Sequence, residues 1–181
     1  EQPFSVGIHK DSELANVTLL LRAQKIAQTE IKSLGDLRKN FAWQLIEIIL
    51  HHRLETLKKK TLLQNAYCMY GIDLNYLEGC DLTFFCAKDH ILSLVKELEK
   101  FNRRIATFGF SQEELHDAKQ AFYGTLKTLS DTETNETIKE TADRLVNQFM
   151  ELDVILSAQQ RLEYFDAIAC TITPEYCLTV W

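Results

Sequence analysis

Basic surface, redox motifs and long apolar runs are the features this chain lacks. Its 26 acidic residues outnumber 20 Lys and Arg, for a net charge of −6. A polyanion partner needs a concentrated basic surface, so nucleic-acid binding is excluded. The one basic run, Lys58-Lys59-Lys60, closes a helical pattern, where lysines complement the negative end of the helix dipole. No apolar stretch reaches membrane-spanning length, and no leader-like segment is present, so membrane contact from this segment is not expected. The five cysteines, Cys68, Cys80, Cys86, Cys170 and Cys177, include no Cys-x-x-Cys pair and read as buried thiols; their odd number opposes a complete disulfide framework. Only six Gly and two Pro in 181 residues leave little room for interdomain linkers, and long regular elements are expected to dominate.

What is present is alternation followed by helical periodicity. Val6 and Ile8, then Val17, Leu19 and Leu21, follow the period of half-buried strands. From Leu34 to about Lys58 the spacing becomes helical, with Leu37, Phe41, Leu45, Ile48 and His52 on one face and Ile46, Ile49, Leu50 and Leu57 widening it. A helix apolar around most of its girth is expected to be central and covered on several sides. Two further strands are predicted over Ala66–Asp73 and Leu77–Ala87, with Gly71 and Gly79 marking bends or bulges. Ile91, Leu94, Val95, Leu98, Phe101 and Ile105 then recur at helical spacing.

The segment Gly109-Phe110-Ser111-Gln112-Glu113-Glu114-Leu115-His116-Asp117-Ala118-Lys119 closes that helix and opens the next. Gly109 suits a left-handed helix stop, and Ser111 with Glu114 forms a capping box. Leu115, Ala118, Phe122, Leu126 and Leu129 continue the helix, and Asp131 to Asn135 is expected to be a polar connection. Ile138, Ala142, Leu145, Phe149 and Leu152 predict another amphipathic helix, Ser157 and Gln160 cap the next, and Thr173-Pro174 starts the last. Strands in hairpin-like pairs followed by a block of helices define an α+β two-layer sandwich, with a mainly antiparallel or mixed sheet and helices on one face. The aromatic residues Trp43, Phe84, Phe85, Phe101, Phe122, Phe149 and Trp181 are assigned to packing rather than to a ligand cage.

The Gly-Phe-Ser-x-x-Glu-Leu-x-x-Ala-Lys segment resembles the linker of the insulinase/pitrilysin zinc metallopeptidases, which include mitochondrial processing peptidase. The resemblance extends over nearly the whole chain, through Lys10-Asp11-Ser12-Glu13, Ser33-Leu34-Gly35-Asp36-Leu37, Leu50-His51-His52-Arg53-Leu54-Glu55 and Ile172-Thr173-Pro174-Glu175. It implies that residues 1–181 form one inactive peptidase domain, similar in fold to the catalytic domain that precedes it and excised from a longer multidomain protein. Such domains pair as the halves of a clamshell around a peptide-binding chamber. On that reading Trp181 is left exposed by truncation. The sequence assigns no compartment, and a bacterial periplasmic or cell-envelope parent is compatible with the resemblance.

The family's chemistry uses His-x-x-Glu-His on one helix, two imidazoles for zinc and a carboxylate to activate water. This sequence never spells it: after His52-Arg53-Leu54-Glu55 comes Thr56. His51 and His52 are adjacent and point about 100° apart on a helix, which separates them as ligands. No catalytic residue and no metal ligand is therefore expected in this segment, and zinc is expected in the parent's catalytic domain. The family resemblance implies substrate-binding roles for Arg53 and, with a rearranged turn, Tyr67, because position 60, where the tyrosine is expected, is Lys60. The other reading of Arg53 is a salt bridge to Glu55 or a distant carboxylate. The partner implied is a peptide substrate shared with a catalytic domain in the same chain or in a partner subunit.

Two other accounts stand beside this one. The first is a structural or assembly module without a proteolytic role. The second is an independent enzyme in which a Cys86 thiolate pairs with His90 near a strand-to-helix junction.

Overall fold

A computed structural model describes residues 16–22, 26–27, 31–61, 63–72, 77–133, 135–150 and 154–181. Val6, Ile8, Asp73 and Leu152 lie outside the described residues. The order is β1 (Asn16–Arg22), β2 (Ile26–Ala27), α1 (Leu34–Lys60), β3 (Leu63–Ile72), β4 (Leu77–Ala87), α2 (Ile91–Phe108), α3 (Gln112–Glu133), α4 (Ile138–Met150), α5 (Ala158–Ile168) and α6 (Pro174–Val180). It is a mostly helical α+β arrangement in which every described strand pairing is antiparallel.

β4 is the centre of the sheet. β1 and then β2 pair along one edge of it, and β3 runs along the other. Period-two alternation sorts the side chains. Leu63, Ala66 and Cys68 of β3 are buried with Leu82, Phe84 and Cys86 of β4 on the face that meets α1. Asn65, Tyr67 and Met69 point the other way and are exposed. Gly71 and Gly79 are paired directly with each other in unbroken register; the irregularity falls instead between Leu63 and Asn65. Neither glycine therefore marks a bulge in the pairing.

α1 begins at a capping box, with the Asp36 N–H donating to Ser33 Oγ at 3.2 Å and the Ser33 N–H donating back to Asp36 Oδ2 at 2.9 Å. It is covered on several sides, as its apolar girth requires. β3 packs on it, and α3 and α6 pack elsewhere around it. Leu37, Phe41, Ala42, Leu45, Ile46, Ile49, Leu50 and Leu54 are all buried. His52, expected on the buried face, is exposed, because the covered girth does not extend to that side of the last three turns.

Three rings lock the helical layer together. Phe41 of α1 meets Phe122 of α3 at 5.8 Å and Phe165 of α5 at 5.4 Å between centroids, and Phe122 meets Phe165 edge-on at 4.9 Å. Such edge-to-face contacts add to the area term because the positive ring edge meets the negative ring face. Trp181, expected to be exposed, is half-buried and packs on Trp43 at 6.0 Å, while the Arg38 guanidinium lies 3.7 Å from the centre of the Tyr176 ring.

Three further expectations are corrected. α3 continues through Asp131 to Glu133, with the Thr132 hydroxyl donating to the Thr128 and Leu129 carbonyls. Glu133 Oε2 accepts the Ala158 N–H at the start of α5, at 2.6 Å. Cys170 is exposed, whereas Cys68, Cys86 and Cys177 are buried, and none of the four is in a disulfide. Finally, the amphipathic pattern of α4 is real but faces outward: Ile138 is 92% and Phe149 70% exposed, with Leu145 and Val146 beside them. α4 is held by its polar side, where Arg144 Nη2 lies 2.8 Å from Glu133 and 3.2 Å from Glu136, and Gln148 donates to the Leu156 carbonyl at 3.2 Å.

Phe41→Ala is expected to cost about 3–5 kcal/mol, since it removes the ring shared by three helices and leaves a cavity. Urea denaturation should show a lower midpoint at an unchanged slope; loss below about 1 kcal/mol would show that the layer repacks.

Candidate functional site

Arg53 sits in the C-terminal half of α1 and faces the α2–α3 junction. Its Nε donates to Glu114 Oε1 at 2.7 Å and its Nη2 to Glu114 Oε2 at 2.8 Å, a two-point fork that matches the carboxylate. Nη2 also donates to the Gly109 carbonyl at 2.8 Å. These contacts leave Nη1 with no described acceptor. The guanidinium carbon is 5.2 Å from the centre of the buried Phe110 ring.

The junction is built from its sequence. Gly109 has φ +61°, a conformation that costs L side chains, and its N–H donates to the Ile105 carbonyl at 2.8 Å to close α2. A Cβ there would reach ordinary contact with the Leu178 side chain of α6 at 3.4 Å, so the constraint is the backbone conformation. Ser111 and Glu114 form the expected capping box: the Glu114 N–H donates to Ser111 Oγ at 3.1 Å, and the Ser111 N–H donates to Glu114 Oε2 at 2.8 Å. Arg53 thus places positive charge at the C-terminus of α2, and Glu114 negative charge at the N-terminus of α3, each complementing a helix dipole. The hydrogen bond from Arg53, helped by Ser111 and opposed by partial burial, holds the Glu114 carboxyl down at about 2.

Beside this pair lies a cleft of about 490 Å³ lined by His52, Arg53, Thr56, Leu57, Phe101, Arg104, Phe108, Gly109 and Glu114. Tyr67 does not line it. Tyr67 stands on the sheet face directed away from α1, its ring 5.9 Å from that of Phe85, with exposed Met69 and Thr18 on the same face. The structure therefore does not bring Arg53 and Tyr67 into one contact. The proposed salt bridge to Glu55 is not formed, since Glu55 faces Lys58 at 3.6 Å and Arg53 takes the distant carboxylate.

Sequence reasoning overlooked Arg104 and Phe108, although they share one side of α2 with Phe101 at i, i+3 and i+7. It also treated Glu114 as a cap alone. Zinc is not accommodated by the described residues: no group of three His, Cys, Asp or Glu side chains lies close enough to hold a metal ion, and His51 and His52 are both exposed. Cys86 is buried in the sheet's helix-facing side, and loss of hydration raises its thiol pKa, which disfavours the thiolate that a Cys86–His90 pair would need. No helix among the described residues is long and apolar enough to cross a membrane.

The backbone arrangement of the chain matches part of several solved proteases, one of them of insulinase type. The first half of the periplasmic protease PqqL from Escherichia coli matches with a TM-score of 0.72 and 16% identity, over 92% of this chain and 35% of that one. A predicted insulinase-family protease from Yersinia pestis matches with a TM-score of 0.73 and 12% identity, over 91% of this chain and 36% of that one. The ferredoxin protease FusC, solved in complex with Arabidopsis ferredoxin, matches with a TM-score of 0.67 and 14% identity, over 95% of this chain and 19% of that one. The chain thus spans between about a fifth and about a third of these structures, and identities this low establish the fold alone. No protein-family model and no curated protein matches the sequence.

Glu114→Gln should cost about 1–3 kcal/mol at neutral pH, because a charge-assisted fork is replaced by a neutral contact. The Glu114 pKa is lowered in the folded protein from an ordinary value of 4.5 to about 2, so its stabilisation is full above 4.5 and is lost as pH falls towards 2. Urea midpoints of the native and Glu114→Gln proteins should therefore converge on acidification through that window. A constant difference down to pH 2 would remove the pair from the account.

Proposed function

We propose that this chain is a catalytically inactive, peptidase-fold domain that completes the substrate chamber of a zinc endopeptidase. The metal and the water-activating carboxylate belong to a separate catalytic domain, in the same chain or in a partner subunit. The observation that carries this reading is the sheet face bearing Tyr67, Met69 and Phe85. It is partly open to solvent, and β3 has a strand partner on one edge only among the described residues. An extended peptide laid along β3 gains backbone hydrogen bonds with little sequence preference, and the Tyr67 hydroxyl can donate to its carbonyls. Arg53 acts on a different part of the substrate through Nη1, while Glu114 and Gly109 hold the rest of the guanidinium in place. The fold shared with proteases over nine-tenths of the chain supports this assignment.

A structural module without a proteolytic role is the second reading. The outward apolar face of α4 favours it, because a helix docked by its polar side leaves its apolar side for another surface.

The purified chain should bind no stoichiometric zinc and hydrolyse no peptide. Combined with the catalytic domain of the parent, it should restore hydrolysis, and Tyr67→Phe should lower kcat/KM about tenfold or more without changing the Tm. In the isolated chain, added peptide should shift backbone amide NMR signals of β3. Full turnover by the Tyr67→Phe protein, with β3 unperturbed by peptide, would transfer the weight to the assembly module.

A further inference from the structure

The cleft between the C-terminal halves of α1 and α2 has a charge balance unlike that of the rest of this acidic chain. Its one carboxylate, Glu114, is spent on Arg53 and on the Ser111 N–H. Neighbouring cations on α2 are also spent, Arg103 on Glu99 at 2.6 Å and Lys100 on Glu97 at 2.6 Å. Arg104 makes no ion pair or hydrogen bond with any described residue. On its own helix it has Lys100 four residues before it, Phe101 three before it and Phe108 four after it, so no acid is within helical reach. His52 stands exposed on the facing helix.

The remaining wall is apolar. Leu57 and Phe101 line it, and Phe108 presents 79% of its surface to solvent at its mouth. A volume near 490 Å³ suits a few side chains of a peptide. One uncompensated guanidinium beside an exposed ring is too little positive charge for a nucleic acid and well matched to a single carboxylate with an apolar neighbour.

We propose that this cleft binds a protein segment in which an Asp or Glu side chain is adjacent to a large apolar residue, with Arg104 taking the carboxylate and Phe108 and Phe101 the apolar side chain. The site is separate from the sheet face that carries Tyr67. It shares Arg53 with the substrate-chamber reading but not Arg104, so the Arg104→Ala variant tests it apart from that reading.

The test is fluorescence anisotropy with a labelled, acetylated and amidated peptide of sequence Gly-Leu-Glu-Phe-Gly, beside its Gln counterpart. The Glu peptide should bind, and binding should fall about tenfold or more both for the Gln peptide and for Arg104→Ala. Phe108→Ala should weaken both peptides, since the ring contributes to each. Raising the salt concentration should weaken the Glu peptide more than the Gln one. Both altered residues are exposed, so the variants should keep the native Tm. Equal affinity for the two peptides, unchanged affinity in Arg104→Ala, or no binding of the Glu peptide by the native chain would each overturn the proposal.

Discussion

The Arg53–Glu114 fork is the constraint around which the helical half is arranged. It joins the central helix to the junction where α2 ends and α3 begins, two places where backbone groups would otherwise lack partners. Through Nη2, Arg53 satisfies the Gly109 carbonyl; through Oε2, Glu114 satisfies the Ser111 N–H. A hydrogen-bonded, partly buried pair of this kind is worth more than an exposed one because water competes less for its members. Its position also decides which functional groups remain available: the fork occupies Nε and Nη2 of Arg53 and leaves the cleft beside it with Arg104 as its unspent cation.

Much of this was legible as local chemistry. Ser111 with Glu114, Ser157 with Gln160 and Thr173 before Pro174 each announce a helix start, and each cap forms. The strand Leu77–Ala87 and the all-round apolar girth of α1 were equally plain, because period and composition report burial directly when neighbours lie on every side. What pattern cannot report is which neighbour is present. Periodicity made α4 amphipathic but could not reveal that Arg144, tied to Glu133 and Glu136, turns its polar side inward. The same blindness placed His52 inside. Glycines at 71 and 79 suggested irregularity singly, whereas their mutual pairing across the hairpin is a property of register.

The site was less legible than the fold. Arg53 and Tyr67 are close in sequence, yet a helix end and a strand's two-residue period separate them onto different surfaces. The distant carboxylate taken by Arg53 is 61 residues away, and no local rule reaches that far. Resemblance supplied the architecture, and at 12–16% identity the solved proteases share the backbone arrangement with few of its side chains. The distribution of chemistry on this backbone, including which cations are neutralised, belongs to this sequence.

The inverted α4 has a consequence for handling the protein. Its attachment is a partly buried ionic network that salt screens only weakly, while its outward surface is greasy. Excluded salts such as sulfate drive Ile138, Val146 and Phe149 out of water. Conditions commonly chosen to keep a protein quiet would here leave the helix attached and make its exposed flank adhesive.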